Sequence, residues 1–128
     1  MTGDTREFLA AFREAASGTP TGLIAAWTSF VDQAEAGYSD NIYEFRNDLS
    51  VRGRIEKLLG SAELQGFEQM GWVRAEIAEV DERYRALLIE VDGPAGRGWW
   101  EAGVPRVAGA ELAADFAEQY GIEVAVIE

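Results

Sequence analysis

Three carboxylates, Asp40, Glu44 and Asp48, recur at intervals of four residues, which stacks them in one column if the segment is helical. Like charges arranged this way repel unless something positive lies between them. A Mg²⁺ or Ca²⁺ ion, a guanidinium from a partner protein, or the chain's own Arg46 or Arg52 can fill that role. Left to solvent, the column is a plain acidic face, with Asp48 free to cap a following helix. Tyr38, Ser39, Asn41, Tyr43, Arg46 and Asn47 crowd the same stretch. It therefore reads either as a polar network that fixes a bend or as a recognition surface. Ile42 and Phe45 anchor it to the core and leave Tyr43 and Glu44 on the flank.

Glu76 and Glu79 form a second acidic pair, spaced Glu-x-x-Glu. That spacing resembles the first half of the Mg²⁺-binding pattern of all-helical nucleotide pyrophosphatases, and the resemblance implies carboxylate ligands for a nucleotide-hydrolysing metal site. The second half, a Glu-x-x-Asp on a later helix, is missing, because Glu111 and Asp115 are four apart and lie beyond a Gly/Pro loop.

The remaining chemistry is sparse. The chain has no Cys and no His, which excludes disulfides, thiolate or imidazole zinc sites, a Cys nucleophile and a Ser–His–Asp triad. Ser50 and Lys57 are seven residues apart, too remote for a dyad across a bend. The run Gly93-Pro94-Ala95-Gly96-Arg97-Gly98 lacks the lysine of a phosphate loop. Trp99 and Trp100 are adjacent in a glycine-flanked segment and cannot share one helical face. Either one lids the end of a bundle while the other lies across the surface, or the pair anchors a partner or walls a ligand pocket. No cofactor is implied.

Eleven Lys+Arg against 23 Asp+Glu leave a formal charge of −12. Nucleic acid and anionic membranes are disfavoured partners, since both require a basic surface. The natural partner is a basic protein, drawn in by the long-range field. Residues 41–60 stand apart at roughly +1, through Arg46, Arg52, Arg54 and Lys57. Met1-Thr2-Gly3-Asp4 shows neither a basic nor an apolar leader, and no run approaches the roughly 18 apolar residues of a membrane span. A cytoplasmic location is expected.

The elements that must position these residues read as helices. Asp4 and Glu7 form a capping pair ahead of Phe8, Leu9 and Phe12, with an end near Ser17-Gly18. Thr19-Pro20 starts a second helix, whose Leu23, Ile24, Trp27, Phe30, Val31 and Ala34 face inward until Gly37. Asp40-Asn41 opens a third, with Ile42, Phe45 and Leu49 inward. Continuing that face would bury Arg52 and Glu56, so a break near Asn47–Ser50 is expected, two helices meeting at a bend. Met70, Val73, Ile77, Val80, Tyr84, Leu87 and Val91 recur at alternating threes and fours, with Leu64 and Phe67 leading in. They predict a long amphipathic helix over about 62–91 as the spine. Such a seam can serve a coiled-coil dimer, but the neighbouring short helices, each with its own stripe, favour internal packing. Asp92–Gly98 reads as a loop, Trp99–Ala102 as one turn, and Ala110–Tyr120 as a last helix ended by Gly121. Residues 122–128 alternate like a strand with no visible partner and are expected to form an extended arm.

The expectation is one all-α domain over 1–128, a bundle of about five or six helices. In size, acidity and lack of catalytic side chains the chain is similar to bacterial immunity proteins and antitoxins, a similarity of class carried by no motif. It implies a non-enzymatic protein that engages a basic partner, such as a toxin, through Asp40, Tyr43, Glu44 and Asp48 with Trp99 and Trp100. The alternatives are a Mg²⁺-dependent nucleotide hydrolase built on Glu76 and Glu79, and a small structural or oligomeric helical protein.

Overall fold

A computed structural model describes residues 5–16, 18–91 and 98–127. The expected Asp4 cap and the glycine-rich loop at 92–97 lie outside them. Five helices dominate: α1 (Thr5–Ala16), α2 (Pro20–Ala36), α3 (Ile42–Leu59), α4 (Gln69–Arg85) and α5 (Ala110–Tyr120). The all-α bundle is as expected.

Local chemistry sets the helix ends. The Thr19 side chain accepts a hydrogen bond from the Gly22 N–H at 3.0 Å, and Pro20 occupies the first turn. Gly37, at φ 93°, ends α2 in a conformation that side chains resist. A Cβ there would also lie 2.8 Å from Cβ of Ile127, so the glycine admits the C-terminal segment. Gly121, at φ 65°, ends α5 in the left-handed region.

An aromatic chain runs through the core. Trp27 stacks on Phe30 (5.7 Å between ring centres), Phe30 meets Phe45 (5.5 Å), and Phe45 meets Phe116 edge-on (5.5 Å). This links α2, α3 and α5, while Tyr84 of α4 contacts both Trp27 and Phe30. The α4 stripe of Met70, Val73, Ile77, Val80 and Tyr84 is buried within the chain itself, packed chiefly on α2. Internal packing is thus the use to which the seam is put.

Three expectations are corrected. First, the spine is shorter than 62–91. Ala62–Leu64 is a 3-10 turn, and past Arg85 the chain becomes β1 (Leu88–Glu90), antiparallel to β2 (Gly103–Pro105). Leu87 and Val91 still fall in phase and turn inward, so the periodicity ran on where the backbone had already changed partners. The Leu87 carbonyl accepts from Arg106 N at 2.8 Å, and Val91 N donates to the Ala102 carbonyl at 3.0 Å. Second, the C-terminal segment is not a free arm. Its β4 (Ala125–Val126) pairs in parallel with β3 (Val107–Ala108), a partner too short to show in the sequence. Third, α3 is continuous through Asn47–Ser50, and Arg52 is buried at 3% exposure.

The third correction has a clear cause. The Arg52 guanidinium forks onto Asp81 of α4, with Nε to Oδ1 and Nη2 to Oδ2 both at 2.8 Å. Oδ1 also accepts from the Trp27 indole N–H at 3.0 Å, and Nη1 of Arg52 reaches Glu56 at 2.9 Å. A charge the helix carries into the core is met there by its counter-charge, so no bend is needed.

Candidate functional site

The N-terminal end of α3 carries the acidic column. Asn41 caps the helix by accepting from Glu44 N at 2.9 Å, and Asp40 accepts from Asn41 N at 2.7 Å. Asp115 of α5 adds a second cap, its Oδ2 accepting from Ile42 N at 3.0 Å. Because α3 is unbroken, Glu44 and Asp48 follow one another along it, but Asp40 does not join the expected column: Asn41 caps the helix in extended backbone and leaves Asp40 just outside it. Asp40 and Glu44 are exposed and Asp48 is half-buried. Asp48 accepts the Tyr38 hydroxyl at 2.6 Å, while Tyr43, 71% exposed, projects from the flank.

Neither candidate arginine lies between these carboxylates. Arg46 turns to α5, where Nη2 donates to Gln119 Oε1 at 2.9 Å and to Tyr120 Oη at 2.7 Å. Arg52 is spent on Asp81 and Glu56. Among the described residues, ion pairs engage Asp32, Glu35, Glu56, Asp81 and Glu82, and none reaches Asp40, Glu44 or Asp48. Asp40 and Glu44 therefore present their charge to solvent, while Asp48 is half-buried against the Tyr38 hydroxyl. Of the polar side chains crowded around these carboxylates, Asn41 caps α3, Tyr38 donates to Asp48 and Arg46 reaches α5, and the helix runs on without a bend.

The indoles are placed differently from the acidic residues. Trp99 opens a 3-10 turn (Trp99–Glu101) and is half-buried, and Trp100 is buried at 8% exposure. The Arg52 guanidinium lies 4.8 Å from the Trp100 ring centre and 5.6 Å from that of Trp99, which also receives Arg85 at 4.2 Å. The rings thus cover the buried ion pair, and Trp100 is not a surface anchor.

Comparison with protein-family models, curated proteins and solved structures returned no match. The site stands on its own geometry.

Glu76 and Glu79 lie together on α4, half-buried and exposed respectively. Asp115 is committed to the α3 N-terminus. No group of three or more acidic side chains converges as an ion would require, among the described residues. Ser50 and Lys57 stand two turns apart on the continuous helix, about 10 Å along its axis, and the Ser50 hydroxyl donates to the Asn47 carbonyl. No helix among the described residues is long and apolar enough to cross a membrane.

Two tyrosines give the fold a pH signature. Tyr38 is pushed above the ordinary tyrosine range by burial and then by its hydrogen bond to Asp48, and Tyr84 by burial alone. A raised folded-state pKa means the native protein keeps protons the unfolded chain has released. Stability is therefore full below about pH 10 and falls as pH rises beyond it. Denaturant titrations at stepped alkaline pH should show this decline, and Tyr38→Phe should flatten it without abolishing it, since Tyr84 remains. An unchanged slope in the variant would remove Tyr38 from this account.

Proposed function

We propose that this is a cytoplasmic, non-enzymatic binding protein whose acidic surface engages a basic protein, with Asp40, Glu44 and Asp48 as the charged contacts and Tyr43 as the aromatic one. The observation that carries this reading is the division of charge. Arg46, Arg52, Arg54, Arg74, Arg83, Arg85 and Arg106 donate to this chain's own carbonyls, carboxylates, side-chain amide or phenol oxygens. The carboxylates at the head of α3 have no such cation beside them. Glu44 and Asp48, about one helical turn apart on α3, with Asp40 just ahead of the helix, would offer anionic oxygens to a surface built for phosphates. A nuclease or similar toxin has such a surface, and the protein would act by occupying it, as an immunity protein or antitoxin does. An exposed tyrosine on the flank supplies apolar contact at low entropic cost.

The expected behaviour is strong salt dependence, because screening shortens from about 30 Å at 0.01 M salt to about 8 Å at 0.15 M. Immobilised protein should retain a basic protein from native lysate at low ionic strength and release it as salt rises. The Asp40→Asn/Glu44→Gln/Asp48→Asn variant should weaken retention at least about tenfold, roughly 1.4 kcal/mol. Recovery of no basic protein at low salt, or equal retention by the variant, would overturn the proposal.

A further inference from the structure

A cavity of about 300 Å³ lies between α3, α5 and the Trp99–Pro105 segment. Phe45, Leu49, Trp100 and Phe116 contribute apolar walls, and Arg46 and Glu101 contribute charge. We propose that it binds a small organic monoanion, an apolar body seated against the aromatic walls and a carboxylate held by Arg46.

Three observations select that ligand class. Size comes first: ligand pockets span about 300–1,000 Å³, so this one holds a ring with a short chain, not a nucleotide. Charge is second. Arg52, Arg83 and Arg85 each pair with carboxylates, whereas Arg46, like Arg54, Arg74 and Arg106, has none within ion-pair distance among the described residues, and of these arginines Arg46 is the one that lines the cavity. Its Nη2 is held by neutral oxygens of Gln119 and Tyr120, and its guanidinium lies 5.9 Å from the Tyr120 ring centre. Those contacts orient the fork without neutralising it. Nε and Nη1 find no acceptor among the described residues, which leaves donors for a carboxylate. Third, Glu101 shares the cavity, and its charge counts against a second anionic group on the ligand. The inference is independent of the acidic column, since Arg46 faces α5.

The probe is 3-phenylpropionate, titrated into the full chain by calorimetry and by ligand-observed NMR. It should bind at least tenfold more tightly than 3-phenylpropanol, which has the same body without the charge. Arg46→Gln should weaken the acid at least tenfold and leave the alcohol unchanged. Ser50→Phe, at an exposed position that lines the cavity, should block the acid and the alcohol alike with Arg46 intact. No binding of the acid at millimolar concentration, or acid and alcohol binding equally, would overturn the proposal. Should Arg46→Gln fail to fold, seen as a lost thermal transition, the alcohol comparison and Ser50→Phe decide the question alone.

Discussion

Replacing Asp81 with alanine is expected to lower the unfolding free energy by about 3–5 kcal/mol, the usual cost of stranding a buried charge. Arg52 would keep only Glu56, whose side chain is 56% exposed and so a weak, solvent-screened partner, while its own side chain is 4% exposed. Arg52→Met should be comparably costly, because it leaves Asp81 with the Trp27 indole N–H as its sole donor among these contacts. Removing both charges in Arg52→Met/Asp81→Leu should recover most of the loss, since well-packed apolar side chains often replace a buried pair without penalty. Denaturant midpoints for the parent, Arg52→Met, Asp81→Leu and the double variant close the cycle. A double variant that costs the sum of the two singles would show that the pair does not couple.

Trp27→Ala is expected to cost about 3–5 kcal/mol, as large aromatic truncations in packed cores do. The ring is 0% exposed, stacked on Phe30 and set edge-on to Tyr84 at 5.3 Å. Its indole N–H also completes the Asp81 carboxylate. Trp27→Phe separates the two contributions by keeping much of the ring contact and dropping the donor. It should still cost about 1.5–3 kcal/mol, the range for a hydrogen bond to a charged group. If Trp27→Phe melts with the parent, the hydrogen bond contributes nothing and only packing matters.

Both predictions arise where reading the chain and folding it diverge. Rules against burying charge made a bend at Asn47–Ser50 look cheaper than an interior Arg52. The counter-charge that reverses this balance lies on another helix, 29 residues away. The acidic column fared better. Glu44 and Asp48 share one helix with Tyr43 exposed beside them, because four-residue spacing is a property of the helix, whereas the Asn41 cap starts α3 too late to include Asp40. What their spacing left open was the destination of Arg46. That depends on Gln119 and Tyr120, which the fold of α5 delivers more than 70 residues later.

The helical class, the inward stripe of α2, the bounds of α5, and the Thr19, Gly37 and Gly121 ends were legible in the residues, because each is settled within a turn or two of backbone. The end of α4 at Arg85, the β3–β4 pairing, the indole cover over Arg52 and the cavity beside Arg46 were decided by tertiary structure. Each needs partners far apart in the chain, and one sequence records the side chains available but not which of them desolvation and packing will bring together.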